Sequence, residues 1–123
     1  MLKNILLVGM GGGIGSIARF LAQKYVYQLY PHPFPMGTFL VNISGCFLIG
    51  VIYALAEKNN LFDPGLRLFL ITGICGGFTT FSSFALENIV LAKSGEFFQF
   101  FLYIALSVVL GLLATVAAIA LFK

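Results

Sequence analysis

The chain has 123 residues, of which 60% are hydrophobic and 9% are charged, and its mean hydropathy is +1.04. An ordinary soluble domain carries roughly 25% charged residues, so this composition excludes one and indicates a membrane protein. The formal net charge of +3 is compatible with anionic lipid headgroups and with an anion as cargo, and it does not distinguish between them.

Four apolar segments follow one another, each near the roughly 20 residues that a bilayer requires. The connections between them are short and leave no room for a soluble domain. We therefore predict a single all-α, four-helix transmembrane domain over residues 1–123. The predicted spans cover residues 5–30, 37–56, 66–92 and 97–122.

The first span follows Lys3, an arrangement that also occurs in secretory signals. The apolar pattern continues to Tyr30, however, and no small-residue cleavage site interrupts it. We expect this span to remain in the mature protein.

Glycines are concentrated in the first span, where Gly9 and Gly13, and likewise Gly11 and Gly15, lie four residues apart. Their spacing does not match the G-x-G-x-x-G pattern of a nucleotide-binding loop. Small residues four apart share a helix face and allow a close backbone approach, so we interpret these glycines as a packing surface.

Two polar positions in the first two spans each allow two interpretations. Arg19 either anchors its helix at the headgroups or draws anions into a vestibule. Thr38 and Asn42 share one helix face, where the Asn42 amide either replaces part of an anion's hydration or joins helices through hydrogen bonds.

The third span is interrupted by Gly-Ile-Cys-Gly-Gly-Phe-Thr-Thr-Phe-Ser-Ser-Phe over residues 73–84. The glycines lower helix propensity just before Thr79 and Thr80, so a break is expected there, the alternative being a continuous helix with a tight crossing. A break frees carbonyl oxygens that suit a hard cation, and it opens a helix N-terminus that suits an anion.

Phe78, Phe81 and Phe84 recur every third residue of this span. Such stripes often face lipid or a core, but ring edges carry partial positive charge and attract an anion without trapping it. Glu87 follows and is the only acid well inside a span, at a depth where a vestibule would hydrate it.

The fourth span places Tyr103, Ser107 and Gly111 at successive i to i+4 steps, with Thr115 next. This strip either lines a pore or consists of hydroxyls that bond back to their own helix.

Other chemistry finds no support in the sequence. Cys46 and Cys75 lack metal-ligand spacing, and His32 is alone in a proline-rich loop. A basic patch for nucleic acid is also missing. We predict neither an enzyme nor a nucleic-acid partner.

The distribution of basic residues predicts no fixed orientation in the membrane. With four spans, one side holds four Lys or Arg residues and the other holds three, a bias too small to fix the topology. Insertion in both orientations would allow an antiparallel homodimer with its two-fold axis in the membrane plane. The two sets are Lys3, Lys58, Arg67 and Lys123, and Arg19, Lys24 and Lys93.

Three motifs together resemble the Fluc family of fluoride channels, also called CrcB proteins. They read Gly-Gly-x-Gly-x-x-x-Arg over 12–19, Gly-Thr-x-x-Val-Asn-x-x-Gly over 37–45, and the glycine-to-phenylalanine segment over 73–84. The resemblance covers all four spans. It implies a passive fluoride-selective channel that exports fluoride from the microbial cytoplasm and relieves its toxicity. It also implies location in the inner (plasma) membrane, an antiparallel homodimer with two pores, and a structural Na⁺ at its centre.

Carried over by motif position, the resemblance implies three sets of site residues. One set forms the fluoride pathway, one lies at the vestibule, and one binds Na⁺ through backbone carbonyls. The sets are Asn42, Phe81, Phe84, Thr38, Tyr103, Ser107, Ser82, Thr80 and Thr115; Arg19 and Glu87; and Gly76 and Thr79. Gly111 departs from relatives that continue the hydroxyl strip there.

Two rival functions stay open in the sequence. A proton-coupled small four-helix antiporter would need a proton carrier deep in the membrane, and Glu87, the sole candidate, lies off-centre. A scaffold subunit would use its intramembrane polar residues only to join helices.

Overall fold

A computed structural model describes residues 1–58, 60 and 62–123. Asn59 and Leu61, which belong to the connection predicted over 57–65, lie outside the described residues. The described chain is helical and contains four helices long and apolar enough to cross a membrane, so the prediction of four long apolar helices is confirmed. They cover Leu2–Leu29, Met36–Glu57, Pro64–Lys93 and Phe97–Phe122.

The third span is divided at its centre. Thr79 and Thr80 are extended, with ψ angles of 156° and 113°, so the helix stops at Phe78 and resumes at Phe81. The predicted break is confirmed. We designate Leu2–Leu29 as α1, Met36–Glu57 as α2, residues 64–78 as α3, Phe81–Lys93 as α4 and Phe97–Phe122 as α5.

The first half of this span, α3, begins with a well-formed cap. The Asp63 carboxylate accepts a 2.7 Å hydrogen bond from the Leu66 N–H, and Pro64 occupies the first turn, where a missing N–H costs nothing. The helix then widens into a π-helical stretch over Leu68–Cys75. Such stretches are rare in proteins and frequently lie next to functional sites.

Glycine backbones bring α1 and α3 into direct contact. A Cβ added at Gly11 would lie 2.9 Å from the Gly73 Cα, and one at Gly77 would lie 3.0 Å from the Gly12 Cα. A Cβ at Gly15 would collide with the Ile74 carbonyl. The faces that need glycine are therefore those turned toward α3, whereas a Cβ at Gly13 would meet nothing within 4 Å.

The second pair of helices, α2 and α5, packs through small and medium-sized side chains. Gly50 contacts the backbone of α5, where an added Cβ would lie 2.7 Å from the Thr115 carbonyl oxygen. Tyr103 is the largest fully buried side chain in the described chain. The outward faces carry exposed apolar side chains such as Phe98, as expected of a lipid-facing surface.

Candidate functional site

The break in the third span is held by one side chain of α2. The Asn42 side-chain oxygen accepts from the Thr80 N–H at 2.8 Å, and the Asn42 amide donates to the Thr80 carbonyl at 3.0 Å. This pair satisfies the backbone groups of Thr80, which lies outside the regular helical pattern. An Asn amide has two N–H groups, so one donor is left over.

Thr80 also begins the second half-helix. Its hydroxyl accepts from the Ser83 N–H at 3.2 Å and donates to the Ser83 hydroxyl at 3.1 Å, which makes Thr80 the N-cap of α4. An N-cap residue satisfies one of the four free N–H groups at a helix start. The positive end of the α4 dipole consequently lies beside Asn42, within the membrane.

Around this break lies a cleft of about 370 Å³ that gathers predicted residues from α2, α3, α4 and α5. Its wall is mostly apolar and carries a few polar groups, a composition typical of ligand sites. The predicted site residues that line this central cleft are Asn42, Gly76, Thr79, Thr80, Phe81, Phe84 and Ser107.

Ser107 lines the central cleft and has a buried hydroxyl. Its Oγ is buried and has no hydrogen-bond partner among the residues that the structure describes. Burying a hydroxyl without a partner is costly, so this group is available to a ligand that accepts a hydrogen bond.

The two phenylalanines of α4 form one side of the central cleft. The rings of Phe81 and Phe84 lie 5.7 Å apart with a 40° tilt. Phe84 also meets Tyr103 at 4.9 Å in an edge-on arrangement. Phe81 is 78% exposed in the single chain and therefore faces either lipid or another protein.

A second, larger cavity of about 530 Å³ opens between α4, the end of α1 and the loop that precedes α2; we call it the outer cavity. Its wall includes Gln23, Thr38 and Glu87. Thr38 donates to one Glu87 carboxylate oxygen at 2.7 Å, and the Tyr103 hydroxyl donates to the other at 3.0 Å. Two hydroxyl donors thus converge on a single negative charge in this outer cavity.

Tyr103 packs between a wall residue of the central cleft and a wall residue of the outer cavity. Its side chain is fully buried, with its ring against Phe84 of the central cleft and its hydroxyl on Glu87 of the outer cavity. Phe34 and Phe39 hold the other side of the ring at centroid distances of 5.4 Å and 6.4 Å. One fixed aromatic side chain therefore contacts residues of both cavities.

Arg19 forms no salt bridge with a carboxylate of the described chain. Its Nε donates to the Gly77 carbonyl at 3.0 Å, whereas the salt bridge found among the described residues joins Arg67 to Glu57. Arg19 places a positive charge near the C-terminal end of α3, where helix carbonyls favour a cation. No carboxylate among the described residues neutralises this charge.

Two positions of the predicted strip and one further predicted pathway residue also lie outside the central cleft. The Thr115 hydroxyl is shared between the carbonyls of Cys46, at 2.9 Å, and Gly111, at 3.2 Å, and so joins α2 to α5. Gly111 is buried at the same contact, where an added Cβ would lie 3.4 Å from the Cys46 sulfur. Ser82 is exposed, with its hydroxyl 3.4 Å from that of Thr80.

The break also releases two carbonyl groups from the helical pattern. The regular partner of the Gly76 carbonyl is the Thr80 N–H, which instead donates to Asn42. The regular partner of the Thr79 carbonyl is the Ser83 N–H, which donates to the Thr80 hydroxyl. Both released oxygens belong to residues of the cleft wall, and carbonyl oxygens are suitable ligands for a hard cation.

The sequence interpretation missed two polar residues. Gln23 donates to the Thr38 hydroxyl at 2.9 Å, and Asn88 is buried and donates to the Phe84 carbonyl at 2.9 Å. A signal existed for Gln23, which follows Arg19 by four residues and therefore lies on the same helix face.

The chain matches one protein-family model over residues 6–119, described as "CrcB-like protein, Camphor Resistance (CrcB)". It is 48% identical to the fluoride-specific ion channel FluC of Azobacteroides pseudotrichonymphae over 90% of this chain and 89% of the relative. The FluC of Flavobacterium psychrophilum is also 48% identical, over 93% and 92% of the two chains. That of Phocaeicola vulgatus is 48% identical over 96% and 97%. The chain therefore belongs to the CrcB family, the family of the fluoride-specific ion channels FluC.

Proposed function

We propose that this protein is a passive channel that lets fluoride leave the cell across the inner (plasma) membrane, and that residues 1–123 form one channel domain. The observation that carries the proposal is the central cleft. At a break in the third span it places the spare Asn42 donor, the unpaired Ser107 hydroxyl and the rings of Phe81 and Phe84 around one space. Membership of a channel family also distinguishes the protein from enzymes.

The chemistry of these groups suits fluoride. Fluoride is small and strongly hydrated, so a pathway must replace its water with several closely spaced donors. Neutral amide, hydroxyl and ring-edge groups offer many weak sites, and conduction requires binding that is weak enough to release the ion. A Lys or Arg side chain in the central cleft would bind the anion more tightly and slow its exit.

The proposed route runs from the outer cavity to the central cleft. Fluoride would enter beside Thr38 and Glu87, pass the edge-on pair of Tyr103 and Phe84, and reach Asn42 and Ser107. Each step replaces some donors with others, and no step requires a covalent bond or a proton transfer. Arg19, which lacks a carboxylate partner in the described chain, would raise the local concentration of anions.

We further propose that two copies associate in antiparallel orientation and hold a structural Na⁺ between them. One chain offers two released carbonyls, at Gly76 and Thr79, which are too few to coordinate a hard cation by themselves. A second copy would supply a second pair. The exposed Phe81 next to these carbonyls would gain a protein partner in the same arrangement.

Efflux from proteoliposomes tests the channel. With purified protein and a fluoride electrode, we expect fluoride to leave down its gradient at equal pH on both sides, and chloride to leave far more slowly. Equal release of chloride, or release of neither ion, would reject the proposal. A strict requirement for a proton gradient would favour the antiporter instead.

The dimer and the cation need a separate measurement. We expect replacement of Na⁺ by N-methyl-D-glucamine to lower fluoride flux and to promote dissociation in detergent, because a bulky cation cannot fit between carbonyls. Identical behaviour in both cations would remove Gly76 and Thr79 from the site. A Lys3→Cys variant whose new thiol is labelled by a membrane-impermeant reagent from one side only would contradict dual orientation.

A further inference from the structure

We infer that Gln23 is a positioning residue for conduction, because its amide fixes the direction in which the Thr38 hydroxyl donates its proton. The inference rests on the proposed function. It adds a residue of the first span to a pathway otherwise built from α2, α4 and α5.

The argument begins with the valence of a hydroxyl group, which has one proton and two lone pairs. Gln23 Nε2 lies 2.9 Å from Thr38 Oγ1 and can only donate, so it occupies a lone pair. The single Thr38 proton is then directed to Glu87 Oε2, 2.7 Å away. Accepting a hydrogen bond also polarises the hydroxyl and strengthens it as a donor.

The hydroxyl that Gln23 orients belongs to a wall residue of the outer cavity, at the start of the proposed route. Thr38 is 2% exposed, so few water molecules compete for its proton. On the opposite side of the Glu87 carboxylate, Tyr103 donates its own proton. An anion that takes the place of the Glu87 carboxylate between these hydroxyls would meet two donors, Thr38 and Tyr103. Gln23 aligns the first of them.

The position of Gln23 is itself restricted by the backbone. A Cβ added at Gly37 would lie 3.2 Å from the Gln23 Cα, so α1 and α2 are close together at this point. The Gln23 side chain is half-buried in the wall of the outer cavity. A long side chain fixed at its base is well placed to hold one hydroxyl.

A simple structural role gives a different expectation. If Gln23 only joins α1 to α2, any residue that keeps a hydrogen bond to Thr38 will serve. Gln23→Glu distinguishes the two roles, because the ionised carboxylate has the same shape but accepts rather than donates. It would keep the bond between the helices and turn the Thr38 proton away from Glu87.

The experiment measures initial fluoride efflux per folded protein for Gln23→Met, Gln23→Glu and Thr38→Val, and for both double variants. Losing one oriented hydrogen bond should lower efflux by roughly three- to tenfold. We expect that loss in Gln23→Met and at least as large a loss in Gln23→Glu. In the Thr38→Val background no hydroxyl remains to orient, so both effects should shrink to less than twofold. The negative charge of Gln23→Glu is present in both backgrounds. An effect of that charge that does not require the Thr38 hydroxyl is therefore equal in both and cancels when the two are compared.

The matched control is Gln28→Met, the same change at an exposed position of α1, which should conduct like the parent protein. Efflux within twofold of the parent for both Gln23 variants would overturn the inference, as would equal losses with and without the Thr38 hydroxyl. If Gln23→Met does not fold, the isosteric Gln23→Glu pair decides alone. A parent protein that conducts no fluoride would reject the proposed function instead.

Discussion

Asn42 and Thr80 form a two-point hydrogen-bonded pair, in which one side-chain amide binds both the N–H and the C=O of a residue in the broken third span. The pair explains how extended backbone persists inside the membrane, where no water can satisfy it. It also makes Asn42 both a structural and a ligand-binding residue, since its second N–H is spare. The two interpretations of Asn42 from the sequence are therefore compatible.

Asn42→Asp should weaken both the hydrogen bonding of the broken third span and the binding of fluoride. The carboxylate still accepts from the Thr80 N–H but faces the Thr80 carbonyl without a donor, at a cost of roughly 1–3 kcal/mol. Its negative charge also repels fluoride. We expect a lower melting temperature in detergent and at least a tenfold loss of fluoride efflux. Asn4→Asp, the same change at an exposed position of α1, should alter neither quantity.

Phe84→Ile and Phe81→Ile should abolish fluoride efflux and leave a folded protein. Isoleucine keeps an apolar side chain but has no ring edge to attract an anion. Phe98→Ile is the control, since Phe98 lies on the outer face of α5 with 79% of its surface exposed. Normal efflux in either α4 variant, measured with the fluoride electrode, would remove that ring from the pathway.

Gly11→Ala and Gly13→Ala, which differ by two residues on one helix, should have opposite effects. The new methyl group at position 11 would lie 2.5 Å from the Phe69 carbonyl oxygen, and main chain cannot move aside easily. Overpacking of this kind costs roughly 1–3 kcal/mol. At position 13 the methyl group meets open space, and alanine favours helix by about 1 kcal/mol. Thermal denaturation of the purified proteins gives the comparison, and equal melting temperatures would contradict the α1–α3 packing.

Arg19→Gln should lower both stability and efflux. The hydrogen bond from Arg19 to the Gly77 carbonyl is charge-assisted, and such bonds contribute roughly 1.5–3 kcal/mol. Removing the charge should also reduce efflux most at low fluoride and low ionic strength, because attraction of anions is screened by salt. Lys24→Gln removes an exposed charge from the same helix and serves as the control. A loss of efflux that does not depend on salt would point to stability alone.

Much of the fold could be predicted because membrane spans leave strong local signals. Hydropathy located the four helices, and Gly73, Gly76 and Gly77 before two threonines located the break. The π-helical stretch Leu68–Cys75 left no such signal. It lies on the contact between α3 and the glycines of α1, and contacts between distant residues are invisible in local propensity.

The site was harder to predict, because hydroxyl residues at the same helical spacing either line the cleft or join helices. Ser107 and Thr115 both belong to the same hydroxyl strip, yet Ser107 lies free in the central cleft and Thr115 binds two carbonyls. Gln23 was missed because its partner Thr38 lies in the next helix, beyond a proline-rich loop. Which helix faces meet across such a loop depends on packing, and spacing within one helix cannot reveal it.

Tyr103 has two roles, since its buried ring packs in the interior and its hydroxyl donates a hydrogen bond to Glu87. Its ring contacts Phe34, Phe39 and Phe84. Tyr103→Phe would therefore remove the donor and keep the ring, whereas a smaller side chain would remove both. Phe81, by contrast, is mostly exposed in the single chain, so replacing it disturbs the interior less than replacing Tyr103. Anyone who wishes to adjust the throughput of this protein without endangering its fold would do better to begin with Phe81.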